Sequence, residues 1–311
     1  MINKYEYTGT VLNLEYRRYF EDIHHIDVRN NRNYNERSCI PGYAPESSRH
    51  NIKTLVNENQ KIFAVVETSF YHYFMDFLGS ILTVISTIPI TQRESVEVCL
   101  DTFHINKEKL NDISYINFVF SLLDFLKIKY TIIPDESLGY INTNKFTICN
   151  GCGTTQAVKN VYYYLKKYLR LGLQEPTKKV FISRNTARKN SGDRIDEENI
   201  EQLFLDLGFE IVNPDNFKNI KEQIRFFDQV KILAGVSGSG LTNALFMQPN
   251  STVIEIVTPL SLKRDGLGET DELHHFYKII AYEKGHLLIN IPNHDKITAT
   301  VKSIMDKTLL Q

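Results

Sequence analysis

The chain has 311 residues, 42% of them hydrophobic and 23% charged, with a formal net charge of −1. That length accommodates two domains of ordinary size and a substantial core. The near-neutral balance argues against a general nucleic-acid or membrane-surface binder.

Residues 1–55 are polar and irregular, with weak strand signals near "GTVLNLEY". From about residue 60 the chain alternates. "KIFAVVE" (61–67) reads as a buried strand. "SFYHYFMDFLGSILTVIS" (69–86) predicts one helix, because Phe74, Phe77, Leu78, Ile81, Leu82 and Ile85 recur at helical spacing. Strands follow at 96–101, 129–134 and 145–149, with a mostly helical stretch at 106–128. A long helix at about 155–172 carries "VYYYLKKYLRL" and ends near Gly172 and Pro176. It reads as a domain linker or as an ordinary surface helix, since Gly and Pro punctuate its end before a fresh strand.

The second half is more regular. "KKVFISR" (178–184) is a strand, and "DEENIEQLFLDLG" (196–208) a helix with Ile200, Leu203, Phe204 and Leu207 on one face. "FEIVNP" (209–214) is a strand. "NIKEQIRFFDQV" (219–230) is a helix with Asn219 as N-cap and Glu222 three residues on. "KILAGV" (231–236) is a strand, "GLTNALFM" (240–247) a helix and "STVIEIV" (251–257) a strand. This order predicts a parallel, doubly wound α/β sheet. The first half follows a looser version of the plan, so two α/β domains facing across a cleft are expected.

In such sheets ligands sit at the carboxyl ends of strands. Three loops leave those ends: "ISRNTARKNSGDR" (182–194), "SGSG" (237–240) and "TPLSLKRDG" (258–266). Gly238 and Gly240 permit close backbone approach, and the helix start beyond them suits an anion. The same residues also make a plain tight turn. No G-x-G-x-x-G, P-loop or G-x-S-x-G motif is completed here. Arg184, Arg188, Lys189 and Arg194 follow the first strand, and the guanidinium fork matches phosphate oxygens. Glu255 sits inside an apolar strand, either as a partner for ribose hydroxyls or at an outward or edge position. His72 and Asp76, four apart on a helix, can supply a general base or form a structural pair.

No Asp-x-Asp pair for a nucleotide-bound metal occurs, and no His-Glu-x-x-His. Cys149-Asn-Gly-Cys152 is isolated and reads as a turn. The adjacent pairs His24–His25 and His274–His275 receive no role. Four cysteines fit a reducing compartment. No window approaches the ~20 apolar residues of a membrane span, and the N-terminus lacks a signal-peptide core. The expected location is the cytoplasm, including the periphery of a membrane.

Taken in order, these motifs resemble the family 61 glycosyltransferases. That family includes bacterial capsular-polysaccharide enzymes, plant xylan xylosyl- and arabinosyltransferases and animal O-linked N-acetylglucosamine transferases. The matching residues are Ile182-Ser183-Arg184, Arg188 or Arg194, Glu222-Gln223, Ser237-Gly238-Ser239-Gly240-Leu241-Thr242-Asn243 and Val253-Ile254-Glu255. "FYHYFMDFL" looks like the family's Tyr-His-x-Phe-x-Asp-Phe element. The departure is Ser237, where the family usually has His.

The resemblance implies a GT-B-type architecture of two Rossmann-like domains and an inverting, metal-independent transfer with no cofactor. Residues 1–154 form the acceptor side, 155–176 the linker helix and 177–311 the nucleotide-sugar domain, with the last helix able to pack back on the first domain. The implied donor is a UDP-sugar such as UDP-xylose or UDP-GlcNAc, and the acceptor a hydroxyl of a glycan or glycoprotein. The donor set is Ser183, Arg184, Arg188, Arg194, residues Ser237 to Asn243, and Glu255. Asp76 is the first choice as base, with His72 as its alternative or orienting partner. A non-catalytic nucleotide- or glycan-binding protein and a Rossmann oxidoreductase or epimerase are the rival readings.

Overall fold

The structure, a computed structural model, describes residues 10–13, 55–57, 60–66, 70–86, 88–101, 114–133, 140–143, 146–149, 155–183, 197–257, 275–291, 301 and 303. The chain divides into two compact units, Met1–Tyr164 and Leu165–Gln311, with the boundary inside a helix. Each is α/β with a parallel sheet.

The strands of the first unit are β1 (Thr10–Asn13), β2 (Leu55–Asn57), β3 (Gln60–Val65), β4 (Val96–Asp101), β5 (Lys129–Ile133), β6 (Tyr140–Thr143) and β7 (Phe146–Cys149). Its main sheet has the order β5-β4-β3-β7, parallel throughout. A small sheet, β1-β6-β2, pairs β1 antiparallel and β2 parallel to β6. The short strands β2 and β6 carry no sequence signal that marked them, because three or four residues cannot show a period.

Helix α1 covers residues 70–86, and it is not uniformly α-helical. Phe70–His72 and Gly79–Ser86 are α, whereas Tyr73–Leu78 between them is π-helical. Residues at helical spacing conceal this, because the wide turn changes hydrogen bonding without exposing the apolar stripe. Tyr73, Phe74, Met75, Phe77 and Leu78 are all buried. The cause lies downstream. Helix α3 (Thr155–Leu169) runs so close that a Cβ on Gly79 would lie 2.8 Å from the Ala157 Cβ. Thr83 donates to the Gly79 carbonyl at 2.6 Å and accepts from Asn160 Nδ2 at 3.1 Å. Residues 79–86 are thereby docked in one register, and the extra residue is taken up before Gly79. Helix α2 is Ser114–Phe125 and ends three residues before the 106–128 stretch expected; 106–113 lie outside the described residues.

The second unit follows the sequence reading closely. Its strands are β8 (Lys178–Ile182), β9 (Glu210–Val212), β10 (Val230–Val236), β11 (Thr252–Ile256) and β12 (Leu287–Ile291). All are parallel, in the order β12-β11-β10-β8-β9. Helix α4 (Glu197–Asp206) lies on one face, where Ile200, Phe204 and Phe209 join Phe181, Ala234, Val236, Ile254 and Ile256 in one core. Helix α5 (Ile220–Asp228) begins at Asn219, whose side chain accepts from the Glu222 N–H at 3.0 Å. Helix α6 (His275–Lys284) and β12 complete the unit. The chain's final helix lies outside the described residues apart from 301 and 303.

The amino ends of β10, β11 and β12 are closed by buried polar groups. Asp228 accepts twice from the Gly172 N–H, at 2.9 and 3.1 Å. His286 accepts at Nδ1 from the Ser251 N–H (3.2 Å), so its proton sits on Nε2 and is donated to the Ala244 carbonyl (3.0 Å). Burial, reinforced by the charge of Lys284, holds His286 down to about 4 from its ordinary 6.5. Burial also lowers Lys284 well below its ordinary range and raises the Asp228 carboxyl.

This cluster has a consequence for stability. Because the folded value of His286 lies below 6.5, the unfolded chain takes up the proton first on acidification. The stability it protects is complete above about pH 6.5 and is lost as pH falls towards 4, by about 3 kcal/mol in all. The raised Asp228 works in the opposite sense, and only below the point at which its own folded form protonates. Urea midpoints between pH 7 and pH 4.5 should fall in the wild type, and His286→Gln should flatten that slope.

Candidate functional site at the carboxyl edge of the second sheet

Numbered within the unit, the strand order β9-β8-β10-β11-β12 is 2-1-3-4-5. In a sheet of that order the connections leave β8 and β10 in opposite directions. A crevice opens at the carboxyl ends of those two strands, and ligands bind there. The residue after β8 is Ser183, buried, with its N–H on the Val212 carbonyl at 2.9 Å. Arg184, Arg188 and Arg194 follow and lie outside the described residues, as does 258–266. The segment after β10 is Ser237-Gly238-Ser239-Gly240. Sequence order had separated the two loops by about fifty residues; the strand order brings their starting points onto neighbouring strands.

The glycine turn is built for close approach. Gly238 adopts φ 153° and ψ 177°, a combination open essentially to glycine alone. A Cβ on Gly240 would lie 3.1 Å from Ile182 Cγ2, so the turn presses against the end of β8. Gly238 and Gly240 are partly exposed and Ser239 is exposed, whereas Leu241, Thr242 and Asn243 are buried.

The segment expected as a helix over 240–247 is a 3₁₀-helix, Ser239–Leu245. Side chains explain the tightening. Asn243 Nδ2 donates to the Gly240 carbonyl at 2.8 Å, and His286 Nε2 donates to that of Ala244. Carbonyls engaged by side chains are drawn away from the i→i+4 ladder.

Two polar ties fix the turn from below. Ser237 Oγ donates to Glu255 Oε1 at 2.6 Å, and the Ser237 N–H donates to the Ile256 carbonyl at 2.9 Å. Glu255 is fully buried, and β11 is flanked by β10 and β12. The outward or edge position considered for Glu255 is therefore excluded. Its side chain points away from the core that holds Ile254 and Ile256, because strand residues alternate. It lies opposite Gly235 on β10. The second tie runs from Gln223 on α5, whose Nε2 donates to Asn243 Oδ1 at 2.8 Å. In the sequence, Gln223 belongs to the Glu222-Gln223 motif with no role of its own. Thr242 Oγ1 is buried and makes no hydrogen bond among the described residues.

His72 and Asp76 belong to the first unit. Their backbone lies on α1, with Asp76 in the π-helical segment; their side chains lie outside the described residues. Helix α1 follows β3. In the order β5-β4-β3-β7 the winding reverses between β3 and β7, so α1 starts from a carboxyl edge at the switch point of its own sheet. π-helical insertions recur at functional sites. Ser69, Cys152, His24, His25 and His274 also lie outside the described residues. No cluster of three potential metal ligands occurs among the described residues.

The fold and the turn define a doubly wound α/β protein with a glycine turn at the switch point of its second sheet. The model of the family described as Glycosyltransferase 61 matches residues 70–254, more than half of the chain. The chain belongs to glycosyltransferase family 61 and is a glycosyltransferase, which moves a sugar from a donor to an acceptor. That match decides against the oxidoreductase, epimerase and non-catalytic readings. No curated protein matches the chain. Among solved structures, a short-chain dehydrogenase from Oenococcus oeni PSU-1 is similar at 12% identity, over 83% of this chain and 94% of that one, with a TM-score of 0.19. A likeness at that score carries no argument. No helix among the described residues is long and apolar enough to cross a membrane.

Two substitutions test the ties. Ser237→Ala leaves a buried carboxylate oxygen without its hydroxyl donor and should cost about 1–3 kcal/mol in the urea midpoint of the ligand-free protein. Thr242→Val removes a hydroxyl that makes no hydrogen bond among the described residues. It should leave stability unchanged or raise it, so any loss of transfer in that variant would report on ligand and not on folding.

Proposed function

We propose that this is an inverting, metal-independent glycosyltransferase of GT-B type. Its donor is a nucleotide-sugar, with UDP-xylose and UDP-GlcNAc as the leading candidates, and its acceptor is a glycan or glycoprotein hydroxyl. The protein works in the cytoplasm, or at the periphery of a membrane. The observation that carries the donor site is the pairing of β8, which the arginine-bearing segment follows in sequence, with β10, which the glycine turn follows, at one switch point. Family membership supplies the reaction class.

In this mechanism the diphosphate lies against the glycine turn. The N–H groups at the start of the 3₁₀-helix, which its own ladder leaves over, donate to the phosphate oxygens. Arg184, with Arg188 or Arg194, closes on the other side, and Ser183 sets where that loop starts. Fixed donors and guanidinium charge stabilise the leaving diphosphate without a metal. Ser237 and Glu255 act from beneath. Because Glu255 is fully buried and already bonded to Ser237, contact with the donor ribose requires the turn to shift, whereas holding Ser237 requires no movement. Leu241 seals the turn against the sheet. The acceptor hydroxyl loses its proton to Asp76, or to His72, as its oxygen attacks the anomeric carbon. The bond from that carbon to the diphosphate oxygen breaks on the opposite face, so the configuration inverts and the nucleoside diphosphate departs.

Arg184→Ala should reduce transfer by about 10²–10³-fold, the loss found when one charge-stabilising donor is removed, with an unchanged melting temperature. Chelation with EDTA should leave wild-type turnover unaffected. Near-normal turnover of the variant would remove Arg184 from the diphosphate site, and strong inhibition by EDTA would remove the metal-free mechanism.

A further inference from the structure

We propose that Gln223 is a positioning residue for the diphosphate turn, acting through Asn243; this rests on the donor reading above. Both side chains are buried, Asn243 completely. Gln223 Nε2 donates to Asn243 Oδ1 at 2.8 Å, and Asn243 Nδ2 donates to the Gly240 carbonyl at 2.8 Å. The two bonds are of good length and form one relay from helix α5 to the turn.

The relay has a direction that fixes more than its own atoms. An asparagine amide can turn over and exchange its oxygen and nitrogen. Here, turning it over would set its NH₂ against the NH₂ of Gln223 and its oxygen against the Gly240 carbonyl. Both contacts would be lost in a buried place where water cannot replace them. The Gly240 carbonyl can only accept, so Asn243 presents its NH₂ there and its oxygen to Gln223, whose Nε2 holds the amide in that place. That donor holds the Gly240 carbonyl inward, and with it the peptide plane between Gly240 and Leu241. The Leu241 N–H is spent on the Gly238 carbonyl at 3.0 Å, which closes the turn on itself. Ser239 is exposed and Gly240 partly exposed, and their N–H groups precede the first bond of the 3₁₀ ladder. Without the relay, Gly238 and Gly240 would leave the turn many alternative conformations. With it, the anion-facing arrangement exists before a ligand arrives.

The neighbouring glutamate explains why Gln223 reaches its target reliably. Glu222 N–H is capped by Asn219 Oδ1, and Glu222 Oε2 accepts from the Lys218 N–H at 3.2 Å. These two bonds, one from the N-cap side chain and one to the residue before it, fix the first turn of α5. Gln223 follows on that turn and points into the protein, while Glu222 stays outside. The two adjacent residues thus divide the work: one anchors the helix and the other anchors the turn.

A purely structural role would affect stability alone, so the test reads phosphate preference. Among UDP, GDP and CDP, the one that binds wild type most tightly is compared with its own monophosphate by calorimetry. In Gln223→Met the ratio of diphosphate to monophosphate affinity should fall at least about tenfold, equivalent to one hydrogen bond's net worth. Gln223→Asn keeps a buried amide but withdraws it by one methylene; it should show the same fall and serves if the Met variant does not fold. An unchanged ratio in a folded variant, with wild type still preferring the diphosphate, would overturn the role of Gln223 alone. A wild type that shows no preference for any diphosphate over its monophosphate would overturn the donor reading, and this inference with it.

Discussion

The hydrogen bond between Ser237 and Glu255 couples the interior of the second sheet to its open edge. A carboxylate in the middle of a parallel sheet is tolerated only with partners. Here a partner comes from the first residue beyond β10, at 2.6 Å. The bond makes the start of the glycine turn part of the sheet's own framework. Everything beyond it inherits that position: Gly238 in its glycine-only conformation, Gly240 against Ile182 and Asn243 beneath the Gly240 carbonyl. Ser237 is the position where the sequence departs from the resemblance, and the structure gives its hydroxyl a definite task within the protein. A serine hydroxyl is short and can reach a carboxylate one strand away without entering the crevice.

The two edges of this sheet are treated oppositely. At the amino edge Asp228, Lys284 and His286 are buried, and His286 ties Ser251 to Ala244. Ala244 belongs to the same 3₁₀-helix as the turn. One end of that short helix is thus pinned through His286 and the other through Asn243. A 3₁₀-helix of seven residues is long for its kind, and these side-chain donors account for its persistence. At the carboxyl edge the turn keeps exposed backbone. Rigidity is concentrated behind the surface proposed to meet the donor, as preorganised charge stabilisation requires.

The first unit shows a related arrangement around a different device. Helix α1 is docked on α3 through Gly79, Thr83 and Asn160, and the π-helical segment follows as a result of that docking. Asp76 lies in this segment, in the patch that the family match begins with. The wide turn alters where residues 73–78 stand relative to an α-helix, and it does so next to a carboxyl edge.

Much of this was legible in the chain itself. Alternating apolar runs and helical stripes gave the α/β class, and the capped start at Asn219 gave α5 to within a residue, because those signals are local. The order of Arg184, Glu222-Gln223, the glycine run and Glu255 gave the family, since chemistry at strand ends constrains residue identity. Other features were not legible. The π-helical stretch keeps the same buried stripe as an α-helix and depends on a contact with Ala157 some eighty residues away. The 3₁₀ form of 239–245 depends on donors from Asn243 and His286. What Glu255 faces depended on which strand lies beside it. The sequence by itself determined which segments fold, which are buried and which reaction class they serve. Only the tertiary structure decided that β8 and β10 are neighbours, that Ser237 bonds Glu255 and that Gln223 reaches Asn243, because each joins residues whose separation along the chain leaves no periodic trace.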